Sequence, residues 1–327
     1  MDSESPTLTL GPTAERRPAR SGLALTPGED LLGFVGSYLG RALLFLITGT
    51  SVLAVLLILF FVVARSIPFF RDFGIGEFLT SQSWRPTADE PTFGALTLIV
   101  GSLYVSIAAL LFAVPVGILA AVFLSDIVSW KIRDIVKPVV EILAAIPSVA
   151  YGFFAVLVLA PWMQSQFGFS TGTNALNASV ILAVMALPTI ISVAEDAISA
   201  LGRELREASY SLGATRLETM VKVVIPAAHS GIIAAVVLGM MRAIGETMVV
   251  WMASGNATQI PHPWWDLSQS IRTMTATIAG EMGEAPEGMP HRSALFAVGV
   301  VLLLMTFVLN IVSEYFLSRA RKATGKS

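Results

Sequence analysis

Arg242 and Glu246 stand four residues apart inside an otherwise apolar run, 231–253. At that spacing two side chains share one face of an α-helix and can pair. A run of this length and polarity is a candidate to cross a bilayer, and a lone arginine at the bilayer centre costs at least about 2.5–3.5 kcal/mol on insertion scales. A guanidinium so placed calls for a partner, a cavity or a task. Its planar fork suits a phosphate or a carboxylate. The chemistry these residues could do is therefore passage of an anion, with Arg242 contacting it, Glu246 holding or gating the arginine, and Thr247 beside them. The plainer alternative is a buried ion pair that fixes helix packing.

A second stretch has no catalytic residue types but a mechanical pattern. Glu207, Ala208 and Ser209 open a helical turn, and Gly213 can break or bend it, because glycine tolerates backbone angles other residues avoid. Thr215 to Lys222 then predicts a second short helix, and Pro226 marks the start of the next apolar segment. Ala214 lies at the bend. The pattern reads as a helix–bend–helix on which another protein can push, or as a plain connector.

The remaining polar residues carry weaker signals. Glu141, Glu195 and Asp196 fall near segment ends and read as solvated or helix-end charges, with Glu195 kept as a secondary site candidate. Asn174 and Asn177 stand where an apolar segment begins, and capping explains at least one of them better than ligand binding. Three histidines, His229, His262 and His291, include no i, i+4 pair, and the chain has no cysteine. No metal site is expected. No G-x-S-x-G, H-E-x-x-H or carboxylate dyad is present, so no catalytic residue is assigned. The closing Gly325-Lys326-Ser327 is similar to part of a nucleotide-binding loop, but the required upstream glycine is Ala320. Any ATP-driven step needs another chain.

The elements that must hold these residues follow from composition. The chain has 327 residues, 54% hydrophobic and 13% charged, with mean hydropathy +0.74; soluble domains carry about 25% charge. This is an integral membrane protein. A formal net charge of -2 argues against a nucleic-acid partner. A bilayer needs about 20 apolar residues per helix. Six stretches qualify: 42–64, 96–124, 138–159, 178–194, 231–253 and 293–316. Most of the 21 Lys and Arg residues then fall on the side of both termini, which places those termini in the cytoplasm. The expected organisation is a disordered cytoplasmic tail over 1–40, a first membrane helix over 41–65, an outer loop over 66–93, a core of five further helices over 94–317 containing the cytoplasmic loop 203–228, and a basic tail over 318–327. Trp84, Trp264 and Trp265 in the outer loops read as interfacial anchors. No apolar core near the start suggests a secretory signal, and no internal repeat stands out.

Glu207-Ala208-Ser209, three residues, Gly213, nine residues and Val223-Val224-Ile225-Pro226 resemble the EAA loop of ABC importer permeases. The usual form is E-A-A, three residues, G, nine residues, I-x-L-P, and the departures are Ser209, Val223 and Ile225. Ala145-Ile146-Pro147-Ser148-Val149-Ala150-Tyr151-Gly152-Phe153, Asn174-Ala175-Leu176-Asn177-Ala178-Ser179, Leu187-Pro188-Thr189 with Glu195-Asp196-Ala197-Ile198, and Arg242-Ala243-Ile244-Gly245-Glu246-Thr247-Met248 are similar to phosphate importer permeases of the PstC type. So are Leu103-Tyr104-Val105-Ser106-Ile107-Ala108-Ala109 and Pro115-Val116-Gly117. The resemblance covers 96–252 well. It implies an all-α, six-helix MetI-like type I permease in a bacterial or archaeal inner membrane. It implies a heterodimer with PstA, two copies of the ATPase PstB, the external phosphate-binding protein PstS, phosphate as cargo, and ATP and Mg bound by the ATPase with no cofactor on this chain. It assigns Glu207, Ala208, Gly213, Ala214 and Pro226 to ATPase coupling and Arg242, Glu246 and Thr247 to the substrate pathway. The rival readings are a permease for molybdate or sulfate, the sister PstA-type subunit, and a secondary transporter or channel; a membrane-embedded enzyme lacks its residues.

Overall fold

The computed structural model describes residues 27–323. In chain order the elements are α1 (Pro27–Phe73), α2 (Ile75–Thr80), β1 (Trp84–Arg85), β2 (Thr92–Phe93), α3 (Leu96–Val122), α4 (Trp130–Ala145), α5 (Ser148–Phe154), α6 (Ala160–Phe167), α7 (Ala175–Ser199), α8 (Arg203–Ser211), α9 (Arg216–Thr219), α10 (Ile225–Gly245), α11 (Met248–Ala253), α12 (Met274–Glu281) and α13 (Pro290–Ala323). Single π-helical turns at 123–127, 155–159 and 220–224 extend α3, join α5 to α6 and join α9 to α10. The chain divides into two units, 1–59 and 60–327. The described part of the first is helical, the opening of α1. The candidate site and the helices around it lie in the second.

Six helical stretches among the described residues are long and apolar enough to cross a membrane: Leu39–Phe73, Leu96–Ile127, Ser148–Phe167, Ala175–Ser199, Arg216–Gly245 and Pro290–Tyr315. The count of six agrees with the sequence reading, but several boundaries differ. The third span begins at Ser148, not near 138. Ile146 is extended and precedes Pro147, a position where the α conformation is sterically disfavoured. The helix must stop and restart there, and 130–145 becomes a separate helix, α4. The expected tail over 1–40 is helical from Pro27, and residues 1–26 lie outside the described residues. The expected outer loop over 66–93 is helical to Phe73 and again over Ile75–Thr80. There, Phe69 stacks on Phe73 and meets Phe78 and Phe93 edge-on, so aromatic packing outweighs the helix-breaking tendency of Pro68. The expected basic tail over 318–327 is helical to Ala323.

α7 is the central helix, with Ile181, Leu182, Met185, Ile190 and Ile198 all buried. Gly117 on α3 and Gly239 on α10 both face Ile190, and a Cβ at either would collide with it. Small residues at such crossings let membrane helices approach closely enough for dispersion to hold them. Around α3, α7 and α10 the molecule has two ends. The hairpin end carries α2, the antiparallel pair of β1 with β2, and the start of α3. The loop end carries the C-termini of α3 and α7 together with α8 and α9.

Candidate functional site

The loop-end segment is built from local hydrogen bonds. α8 ends in a Schellman arrangement: Gly213 N–H donates to the Tyr210 carbonyl at 2.9 Å and Ala214 N–H to the Ser209 carbonyl at 3.3 Å. That closure requires a left-handed residue, and Gly213 supplies φ 83°. Thr215 then caps the next helix in a capping box with Glu218. From Arg216 the helix runs unbroken to Gly245. Pro226 therefore stands inside one long helix rather than at a boundary, on the turn following the π turn at Met220–Val224. Ser209 and Thr219 are buried, and their hydroxyls hydrogen-bond at 2.8 Å, stitching the two arms of the bend together. The departure from E-A-A at Ser209 thus has a structural use.

What this hairpin of helices shows to solvent is mixed. Glu207, Ala208 and Gly213 are exposed, and Ala214 half-buried. Leu212 at the tip is 90% exposed, with Leu217 and Tyr210 also open. The most open apolar side chains of the segment thus lie among charged ones at its tip. The sequence reading singled out Glu207 and Gly213 and missed Leu212. The available signal was a leucine immediately before the bending glycine, in a stretch otherwise polar.

The segment is tied to the bundle through Arg206. Its guanidinium grips Asp126, in the π turn that extends α3, the Ile198 carbonyl in the last turn of α7 and the Leu201 carbonyl just beyond it. Beside it lies a cleft of about 720 Å³ lined by Asp126, Arg203, Arg206, Glu207, Tyr210 and Leu217 among others.

In the middle of the bundle the structure corrects the sequence reading. α10 ends at Gly245 and Glu246 is extended, φ −72° and ψ 132°. The i, i+4 face exists only in a continuous helix, so no ion pair joins Arg242 and Glu246 among the described residues. One Glu246 carboxylate oxygen instead accepts from the Thr247 N–H at 3.2 Å, and its carbonyl accepts from the Thr275 hydroxyl at 3.0 Å. Arg242 Nε is buried without a hydrogen-bond partner. Glu246 joins Ser102, Ser106, Thr273 and Thr275 around a pocket of only about 10 Å³, room for roughly one water. The break after α10 thus brings Glu246 to the same small pocket as hydroxyls from α3 and the start of α12.

The secondary candidates are structural in this arrangement. Asn174 caps α7, accepting from the Asn177 N–H at 2.9 Å, as capping predicts. Asn177 is buried and donates to the Ala155 and Gly172 carbonyls at 3.0 and 2.8 Å. Glu195 is not a solvated charge: it is 1% exposed, held by Arg133, by Lys137 at 2.8 Å and by the Ser199 hydroxyl at 2.9 Å. Lys137 also reaches Asp196 at 2.9 Å. Hydrogen bonds to Glu195, then to Asp196, hold the Lys137 ammonium above its ordinary pKa.

At the hairpin end a cavity of about 820 Å³ is lined by Trp84, Arg85, Trp251, Arg272, Glu281 and His291 among others. Glu281 is its hub, accepting from Trp84 Nε1 at 3.0 Å, from Arg272 and contacting His291 Nε2 at 2.9 Å. Trp84 is buried here, not an interfacial anchor, whereas Trp264 and Trp265 are exposed. No group of three His, Cys, Asp or Glu residues suited to a metal occurs among the described residues.

Residues 113–322 match the family described as binding-protein-dependent transport system inner membrane component. The chain is 41% identical to the probable ABC transporter permease protein YqgH of Bacillus subtilis over 75% of this chain and 78% of that one. It is 38% identical to the phosphate transport system permease protein PstC of Mesorhizobium japonicum, over 76% and 80%, and 30% identical to PstC 2 of Mycobacterium bovis, over 92% and 93%. Among solved structures, a chain of a bacterial alginate ABC transporter superposes with TM-score 0.57 at 17% identity, covering 91% of this chain and 96% of that one. A chain of the MetNI methionine ABC transporter gives 0.54 at 18%, covering 67% and 93%. Both likenesses concern the fold.

Proposed function

We propose that this chain, which belongs to the family of binding-protein-dependent transport system inner membrane components and is the permease subunit of an ABC importer, carries inorganic phosphate. It is a multi-pass membrane protein and has no catalytic site of its own. The observation that carries the anion reading is Arg242: a guanidinium inside a membrane span, Nε buried, with no carboxylate on it. A guanidinium left unpaired by its own chain keeps its fork for an oxyanion. The PstC relatives support phosphate as that oxyanion.

In this reading the loop end faces the cytoplasm of a bacterial or archaeal cell, across the inner membrane from the hairpin end. A PstB-type ATPase dimer, which binds the ATP and Mg, receives the tip formed by α8 and α9, with Glu207, Ala208, Gly213 and Ala214 on or beside the contact. Pro226 lies on the helix that carries the push inward. A PstA-type sister permease completes the pathway. A PstS-type binding protein delivers phosphate at the hairpin end. ATP binding draws the docked segments together and the permease pair alternates between its two open states. Arg242 meets the phosphate, and Glu246 and Thr247, at the break in the span, shape its passage.

Reconstitution of the permease pair, ATPase and binding protein in liposomes tests this. Inorganic phosphate uptake is expected, and Arg242→Gln is expected to abolish it while the ATPase stays bound. Undiminished uptake by that variant would refute the role of Arg242. A guanidinium also serves molybdate or sulfate, so uptake of either in preference to phosphate would move the cargo to that oxyanion.

A further inference from the structure

Arg206 uses all its hydrogen-bonding capacity at one place. Nε donates to Asp126 Oδ1 at 2.7 Å and Nη2 to Oδ2 at 3.2 Å. Nη1 donates to the Leu201 carbonyl at 3.1 Å and the Gly202 carbonyl at 3.0 Å. Nη2 also donates to the Ile198 carbonyl at 3.2 Å. A guanidinium has five N–H groups, and these five bonds account for them. The Arg206 and Asp126 side chains are 14% and 17% exposed. A bidentate pair at such depth is directional as well as strong, since the fork fixes both distance and plane. Of the three carbonyls it covers, that of Ile198 lies in the last turn of α7, where positive charge is favoured, and those of Leu201 and Gly202 lie in the connector from α7 to α8.

The geometry assigns Arg206 as a positioning residue for transport: it welds α8 to the ends of α3 and α7, so that displacement of the coupling segment moves those two helices. The assignment rests on the reading of 203–228 as the coupling segment. The segment also joins the bundle through the continuous helix into α10 and through Val224, which packs with Ala121 and Ile198. Three features make Arg206 the polar, directional link from α8 itself. The Ser209–Thr219 hydrogen bond joins α8 only to α9. The capping box at Thr215 is internal to the segment. Glu207, next to Arg206 in the chain, is exposed, so one helical turn presents one charge outward and plants the other in the bundle. Both helices gripped contribute to the wall of the polar pocket, α3 through Ser102 and Ser106 and α7 through Leu182, beside residues of α10, α11 and α12. From Asp126 to Ser106 is roughly 30 Å of helix at 1.5 Å per residue. A close-packed helix carries a shift over that length without dissipating it, because packed interiors are scarcely compressible.

The test compares Arg206→Gln, Asp126→Asn, the double variant, Arg206→Lys and Glu207→Lys in the reconstituted four-component transporter. Phosphate imported per ATP hydrolysed is measured, along with co-purification of the ATPase. Arg206→Gln and Asp126→Asn are each expected to lower the ratio roughly tenfold, within the usual span of coupling between sites, with the ATPase retained. The double variant is expected to be no worse than the worse single, because both remove one contact. Arg206→Lys, which keeps the charge but not the fork, is expected between wild type and Gln, and keeps the question answerable if Gln folds poorly. An unchanged ratio in both singles would overturn the assignment and leave Arg206 a helix cap. So would losses that multiply in the double variant, or loss of the ATPase from both singles. If Glu207→Lys neither releases the ATPase nor lowers the ratio, the coupling reading itself fails and takes this inference with it; if only Glu207→Lys acts, the inference alone fails.

Discussion

α4 and α8 sit at the same end of the bundle, hang on it by the same device, and face outward in opposite ways. Each plants cations on a carboxylate held by a membrane-crossing helix: Arg133 and Lys137 of α4 on Glu195, and Arg206 of α8 on Asp126. On α4 the cations point in and the aliphatics out. Ile132, Ile135, Val139 and Ile142 form an exposed stripe, and none of its residues is buried. On α8 and its bend the free acids point out, with Glu204 and Glu207 exposed, and one apolar tip at Leu212. An exposed aliphatic stripe suits hydrocarbon, and a charged rim around the few open apolar side chains Tyr210, Leu212 and Leu217 suits water and, in the proposed function, a protein partner. Ion pairs hold each element in one register while leaving its outward face to be chosen by its surroundings.

The comparison breaks most visibly if the attachment of α4 is removed. Arg133→Ala with Lys137→Ala strands Glu195, 1% exposed, and an uncompensated buried charge costs about 3–5 kcal/mol. Thermal unfolding of the purified protein in detergent should show the loss, and adding Glu195→Gln should restore most of it. Next, Ile135→Asp places a charge in the outward stripe. In lipid that costs about 2.5–3.5 kcal/mol and should lower membrane insertion, whereas Leu212→Asp should leave the fold intact and release the ATPase. Equal tolerance at both positions would erase the distinction. Gly213→Ala forces a non-glycine residue to φ 83°, a strain of about 1–2 kcal/mol, and should loosen α8 in hydrogen exchange without disturbing α4. Ser209→Ala removes the hydroxyl bonded to Thr219. It should cost about 1 kcal/mol, visible as faster amide exchange at 209–219. The smallest effect concerns pH. Lys137 has a raised pKa in the folded state, so its contribution is complete at neutral pH and is lost only as pH rises beyond the ordinary lysine range. α4 exchange protection should therefore be flat around neutrality and fall at strongly alkaline pH.

Most of the bundle was legible because its signals are local. Apolar runs of membrane length give six spans, Asn174 caps where a cap is expected, and the Glu207–Gly213–Pro226 spacing marks the bend. The errors arose where a local rule met a distant partner or a steric stop. Ile146-Pro147 separates two helices that hydropathy merges. Trp84 is read as an interfacial anchor until Glu281, far along the chain, is seen to hold it. Glu195 looks like a solvated helix-end charge until α4 folds over it.

Composition and spacing alone determined that this chain crosses a membrane, where the 203–228 segment bends, and that Arg242 is an anomaly needing a use. Tertiary structure alone decided which charges pair. The spacing of Arg242 and Glu246 offered a helical ion pair, but the helix stops at Gly245, leaving the arginine unpaired and the glutamate beside threonines. Arg206, unremarkable in sequence, became the anchor of its segment. The physical reason is range. Hydropathy and capping act within a few residues, whereas a buried charge takes whatever counter-charge the completed packing brings within hydrogen-bonding distance.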